Sequence, residues 1–231
     1  MLLKNYLISL FSKAMIYNKY NILTLIPSNP LYKFLDLGCD DGEWTMQIAK
    51  KLGTNQIYGI EIVEERIKIA KSRGIIVERS DLNNNFNFPD NMFDLVHANQ
   101  VIEHIINPDI FVSEIYRILK PDGYAIISTE NASSWHNIFA AIMGWQIFSL
   151  TNVSYKLKGL GNPLAIHQGN RDSLPSWTHK IIFNYFGLIS LFHAYKFKNI
   201  CVKGSGYHPL PARFGNLDKR HCHFITIRVQ K

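Results

Sequence analysis

At 231 residues, 47% of them apolar and with no long low-complexity stretch, the chain can bury one sizeable core and is not a disordered segment. Its formal charge of +7 is spread over single lysines and arginines with no basic run, which argues against a nucleic-acid partner. Cys39, Cys201 and Cys222 are odd in number, widely spaced and lack a C-x-x-C pair, which disfavours a disulfide framework and suits a reducing cytoplasm.

In chain order, residues 1–26 open with an amphipathic helix near 3–19. Leu3, Leu7, Leu10, Phe11 and Ala14 share one face, while Lys4, Ser12, Lys13 and Asn18 fall largely off it. The segment reads as a lid or docking helix. Polar interruptions and the lack of a small-x-small site argue against a signal peptide. Next comes Phe34-Leu35-Asp36-Leu37-Gly38-Cys39-Asp40-Asp41-Gly42-Glu43-Trp44, an apolar strand (33–37) that breaks into glycines and carboxylates and opens a helix (42–53). Gly38 and Gly42 can take positive φ and bring bare backbone against a ligand. No Gly-Lys-Ser/Thr ends the loop, so a nucleoside triphosphate is not indicated, and the acids disfavour pyrophosphate. Carboxylates suit a cationic ligand, of which S-adenosylmethionine is one.

Strands are expected next near 56–61, 75–79, 93–98 and 123–128, with helices near 63–73 and 107–120. Asn107 and Pro108 form a helix start, an N-cap followed by a residue whose missing donor costs nothing there. Residues 129–178 break the alternation, mixing turn formers with Trp135, Trp145 and Trp177, and read as a substrate cap inserted after the fifth strand. A helix near 179–195 and strands near 197–204 and 222–230 complete the chain. The apolar segment Ile181 to Tyr195 is too short to span a bilayer, so no transmembrane helix is expected. No metal is expected either: on an alternating strand, His221 and His223 would share one face while Cys222 opposes them.

The glycine loop resembles the first motif of the class I S-adenosylmethionine-dependent methyltransferases, with Asp40 in place of the usual middle glycine. Aspartate visits the left-handed region more readily than most residues, so the turn can survive. Tyr58-Gly59-Ile60-Glu61-Ile62, Ser80-Asp81-Leu82, Phe93 to Asn99 and Leu119 to Ser128 match the family's later motifs in order, five matches over residues 34 to 128. The resemblance implies an α/β, Rossmann-like sheet of seven mostly parallel strands, helices on both faces and the last strand antiparallel, in one domain over 1–231. It also implies that Asp36, Gly38, Cys39, Asp40, Gly42, Glu61, Ile62, Asp81, Leu82 and Asn99 bind S-adenosylmethionine. Glu61 would take the ribose hydroxyls and Asp81 the adenine amino group.

Val101-Ile102-Glu103-His104-Ile105 is similar to the members that methylate small molecules, lipid head groups and quinone precursors, and to methionine-biosynthesis-associated methyltransferase-like proteins. Glu103, His104, Asn131, Trp135 and His136 are the substrate candidates, with His104 as the proton acceptor. His136 and His167 rank behind it. The expected acceptor is a small molecule or lipid-like compound, and the scattered cations suit peripheral contact with an anionic membrane surface. A nucleic-acid methyltransferase and a non-catalytic binding protein on the same fold are the alternatives.

Overall fold

The computed structural model describes residues 2–166, 169–170 and 174–231. His167 lies outside the described residues. In chain order the elements are α1 (Leu2–Leu25), β1 (Phe34–Leu37), α2 (Glu43–Leu52), β2 (Ile57–Glu61), α3 (Glu64–Ser72), β3 (Ile76–Arg79), β4 (Phe93–Asn99), α4 (Pro108–Ile118), β5 (Leu119–Glu130), α5 (Trp135–Ile142), β6 (Leu157–Lys158), β7 (Gly169–Asn170), α6 (Tyr185–Ala194), β8 (Lys198–Ser205) and β9 (Phe224–Gln230). Among the described residues, seven strands form one sheet in the order β3-β2-β1-β4-β5-β9-β8, and β6 pairs with β7 in a separate hairpin. The chain divides into two compact units: residues 1–21, 129–188 and 202–226 form unit 1, and residues 22–128, 189–201 and 227–231 form unit 2.

Unit 2 grows from parallel pairing. All four residues of β1 are buried between β2 and β4, the near-continuous apolar reading of a strand covered on both faces. Phe34, Ile48, Leu52, Ile57, Ile67 and Leu95 belong to one apolar cluster that also takes Ile22 and Ile26. Asn107 Oδ1 accepts from the N–H groups of Asp109 (3.2 Å) and Ile110 (3.3 Å), so α4 starts where its cap predicts. The Leu119-to-Gly123 turn expected between helix and strand is absorbed into β5. The register slips between Phe93 and Leu95, and Asp122 takes φ 63°, as in a bulge.

The last strand is antiparallel, as expected. Lys231 N–H donates to Gly123 O and Asn131 N–H to His223 O, while His223 N–H donates to Gly206 O, so β9 runs against both β5 and β8.

Unit 1 corrects two expectations. The N-terminal stripe holds at Leu7, Leu10, Phe11 and Ala14, which are half-buried or buried, but Leu3 is 57% exposed and the buried positions of α1 within this unit also include Asn18 and Asn21. Asn18 was placed off the buried face, yet its Oδ1 accepts from Thr226 Oγ1 at 2.8 Å, and Asn21 Nδ2 donates to Gly204 O at 3.0 Å. Polar anchoring of this kind leaves no apolar period to read. Residues 129–178 hold a helix, α5, and Trp135, Phe139 and Ile142 stand exposed along it while Asn137 and Ala140 are buried.

Candidate active site

In unit 2 the glycine loop is a run of left-handed backbone: Gly38 at φ 69°, Asp40 at 49° and Gly42 at 81°. Asp40 therefore does adopt the conformation that the missing glycine would have supplied. A Cβ on Gly38 would come 2.9 Å from Val101 Cγ2, and one on Gly42 would come 2.4 Å from Ile75 Cδ1. These two glycines seat the loop against Val101 and Ile75.

Glu61, at the end of β2, joins this loop. Its Oε2 accepts from Asp40 N–H at 3.0 Å, and its Oε1 accepts from Ile62 N–H (2.8 Å) and Val63 N–H (2.9 Å). Asp81, beyond β3, closes an Asx turn in which Oδ1 accepts from Asn83 N–H (2.9 Å) and Nδ2 (2.8 Å). Leu82 is half-buried beside it, and Asn99 ends β4 in register with Ser128. The loop, Glu61, Asp81 and Asn99 thus gather at the carboxyl ends of β1, β2, β3 and β4, where open α/β sheets take their ligands.

Two other named residues, Asp36 and Cys39, face elsewhere. Asp36 is buried; its Oδ2 accepts from Thr45 Oγ1 at 2.6 Å and its Oδ1 meets His97 Nδ1 at 2.7 Å. His97 went unremarked in the sequence, yet it is the register partner of Asp36 on the neighbouring strand, so only sheet order brings the two together. Its Nε2 is buried without a hydrogen-bond partner among the described residues. Cys39 is buried with its sulfur toward Gly59, and burial, followed by the Asp36 and Glu61 charges, pushes its thiol well above the ordinary range. Nor is the acidity of the loop uncompensated: Arg66 Nε lies 3.2 Å from Asp40 Oδ1, and Arg73 Nη2 lies 3.7 Å from Asp41 Oδ2.

Glu103 and His104 lie in a 3-10 turn after β4, the carboxylate fully buried and the imidazole half-buried.

Unit 1 holds a cavity of about 270 Å³, lined among others by Leu7, Phe11, Phe148, His136, His208 and His223. Of the substrate candidates placed in this unit, His136 lines it and Trp135 and Asn131 do not. Trp135 is exposed, stacks on His221 at 4.6 Å and donates from Nε1 to Tyr207 Oη at 2.8 Å. Asn131 is fully buried and engaged: Nδ2 donates to the carbonyls of Arg220 (2.8 Å) and Cys222 (2.9 Å). Burial holds His136 and His223 well below the ordinary imidazole range and pushes His208 down to about 4. His208 carried no signal in the sequence; a turn far from His136 in the chain delivers it. His221 and His223 also part company, because β9 starts only at Phe224: His221 turns to Asp218 (2.9 Å) and His223 turns inward.

The strand order, the reversed last strand and the acid-bearing loop define the class I S-adenosylmethionine-dependent methyltransferase fold. A methyltransferase domain model matches residues 10–210. The chain belongs to that family, whose methyl donor is S-adenosylmethionine. It is 33% identical over 132 residues to the mitochondrial ubiquinone biosynthesis O-methyltransferase of Rattus norvegicus, a match covering 52% of this chain and 38% of the relative. It is 24% identical over 194 residues to the demethylmenaquinone methyltransferase of Lactiplantibacillus plantarum, covering 80% of this chain and 78% of that one. The crystal structure of an S-adenosylmethionine-dependent methyltransferase from Thermotoga maritima shares the fold at a TM-score of 0.61 and 19% identity, covering 100% and 91% of the two chains. No described helix is long and apolar enough to cross a membrane.

Proposed function

We propose that the chain transfers a methyl group from S-adenosylmethionine to a small, apolar acceptor of the quinone-precursor kind, with the donor held by unit 2. The observation that carries the reading is the Glu61 carboxylate bonded to the Asp40 N–H at 3.0 Å, which ties the ribose-binding candidate to the glycine loop. The donor set fits this cofactor. Backbone N–H groups use three of the roughly four lone-pair directions of Glu61, so a ribose hydroxyl can still be accepted. Asp81 and the Leu82 N–H suit the adenine edge, and Asn99 with residues 38–42 suits the methionine part. Asp36 and Cys39 support the loop from beneath.

When bound, the cofactor supplies an electrophilic methyl group. The chain's own contribution is to orient donor and acceptor and to exclude water, which can be worth roughly 7–11 kcal/mol. His104 takes the acceptor proton in this reading, and Glu103 fixes the turn that carries it. Phe11, Phe148 and Leu7 give the cavity its apolar wall; its volume lies near the lower end of the range for ligand pockets, so it suits a ring-sized head group. The names of the rat and bacterial relatives support a quinone-type acceptor. The family match runs through both units, which supports treating residues 1–231 as one methyltransferase domain. Free Cys39, Cys201 and Cys222 support a reducing compartment, and the scattered cations support a peripheral approach to an anionic surface.

The test is calorimetric titration with S-adenosylmethionine, followed by transfer of a labelled methyl group to hydroxylated quinone-precursor analogues. Micromolar binding and a labelled ether product are expected. Folded protein that shows no heat at millimolar cofactor would sink the donor assignment.

A further inference from the structure

His136, His208 and His223 come from three separated places in the chain: the first turn of α5, a turn after β8, and the residue before β9. Their candidate ligand nitrogens all lie within 4.8 Å of one another. The rings crowd together at centroid distances of 4.2 Å (His136 to His223), 4.9 Å (His208 to His223) and 5.0 Å (His136 to His208), and all three line the cavity of unit 1. His208 Nε2 and His223 Nδ1 share a hydrogen bond at 2.6 Å, one ring donating and the other accepting. Even with that bond made, three clustered imidazoles are an expensive way to line an apolar cavity, because polar ring nitrogens are costly to bury.

We propose that these three histidines form a site for a divalent transition-metal ion of the zinc type, its fourth coordination position open to the cavity. The site lies in the cavity that the proposed function offers to a ring-sized head group, but metal binding is read without methyl transfer, so the two readings can fail separately.

The chemistry of the ligand set suits this metal. Imidazole nitrogen is a preferred zinc ligand at roughly 2.0–2.1 Å, and three protein ligands plus one open position make a common arrangement. Tetrahedral ligands at that bond length sit roughly 3.3 Å apart. The observed 2.6 Å pair would open and the third ring would close by modest side-chain rotation. Surroundings that hold the rings are present. Phe224 stacks on His223 at 4.1 Å, Phe148 packs against His136 at 5.3 Å, and the backbone of Gly206 lies so close that a Cβ there would come 2.7 Å from His223 Cβ. A bound ion would clamp α5, the turn carrying His208 and the start of β9 to one another, and would offer a Lewis-acid face to an oxygen entering the cavity.

The experiment uses full-length protein with no affinity tag, dialysed against chelator and titrated with Zn²⁺ by calorimetry and with Co²⁺ by visible absorption. One ion per chain, a dissociation constant in the micromolar range or tighter, and ligand-field bands of a tetrahedral nitrogen site are expected. His136→Asn and His208→Asn should each weaken binding by at least roughly 100-fold, while His221→Asn, whose ring turns to Asp218, should leave it within about twofold. If the first two variants do not fold, the wild-type protein is treated with diethyl pyrocarbonate with and without Zn²⁺. Mass spectrometry should then show protection of His136, His208 and His223 and not of His221. Absence of binding to folded wild-type protein, retention of wild-type affinity in both variants, or equal modification with and without metal would each overturn the site.

Discussion

Unit 2 and unit 1 are held together by different chemistry. In unit 2 the cohesive residues are apolar: Phe34, Ile48, Leu52, Ile57, Ile67 and Leu95 pack as one cluster around a strand with no exposed residue. In unit 1 the buried ties are asparagines. Asn18 meets Thr226, Asn21 meets Gly204, Asn131 meets Arg220 and Cys222, Asn137 meets Ser149, and Asn162 meets Gln146. Apolar packing tolerates substitution if volume is kept, whereas a buried amide is satisfied only by the particular groups it faces. Unit 2 is therefore a general scaffold, and unit 1 is the more individual part of the chain.

The most severe test of the contrast is Phe34→Ala. The ring is fully buried in the apolar cluster, and its removal should cost about 3–5 kcal/mol, read from denaturant unfolding. Phe34→Leu should recover most of that loss. If Leu behaves no better than Ala, the cohesion of unit 2 depends on ring shape rather than buried volume.

Asn131→Ala comes next, at about 1–3 kcal/mol, because it strips the buried Cys222 carbonyl of its donor and leaves Arg220 O with only the Ser133 hydroxyl. Here Leu, although similar in volume, should be no better than Ala. A Leu variant as stable as the wild type would show that unit 1 is packed like unit 2 after all. The same logic revises what an N-terminal truncation reports: Ala14 O accepts from Ser205 Oγ at 2.6 Å and Asn18 from Thr226, so removing residues 1–19 should unfold unit 1 rather than merely uncap it.

The contrast also explains what the sequence made legible. Periodicity and the glycine loop exposed β1, β2, β4 and α4, because apolar spacing records a buried face directly. Glu61 was singled out by the family resemblance at the end of β2, and the structure bonds it to the Asp40 N–H of the loop. His97 was not found, since its partner Asp36 is a neighbour only once β1 and β4 pair. The burial of Asn18 and Asn131, and the meeting of His136 with His208 and His223, were hidden for the same reason: polar residues reveal a partner only through tertiary structure. α5 was missed because Trp135, Phe139 and Ile142 lie on its exposed face, so its apolar period does not mark a core.

Glu61→Ala should weaken S-adenosylmethionine binding by about 1.5–3 kcal/mol, through loss of a charge-assisted hydrogen bond to a ribose hydroxyl. Because the carboxylate also receives the N–H groups of Asp40, Ile62 and Val63, stability should fall by about 1 kcal/mol as well. Glu61→Gln separates the two effects, since its amide oxygen can still accept from backbone. A variant that loses stability yet binds the cofactor normally would reduce Glu61 to a loop tie.

The smallest effect expected is that of Arg66→Ala. Arg66 faces Asp40 at 3.2 Å, but both side chains are substantially exposed, 41% and 63%. Pairs in such surroundings contribute little, because water and salt screen the attraction and two long side chains lose freedom in making it. The left-handed turn at Asp40 is fixed instead by its N–H bond to Glu61 and by the packing of Gly38 and Gly42. Stability should thus change by less than about 0.5 kcal/mol. Cofactor affinity should rise slightly if it changes at all, since the freed Asp40 carboxylate increases the negative charge facing a cationic donor. That rise should fade as ionic strength increases. A loss of affinity that survives high salt would show that Arg66 positions the loop, and the acidic face of unit 2 would then need its arginines as much as its acids.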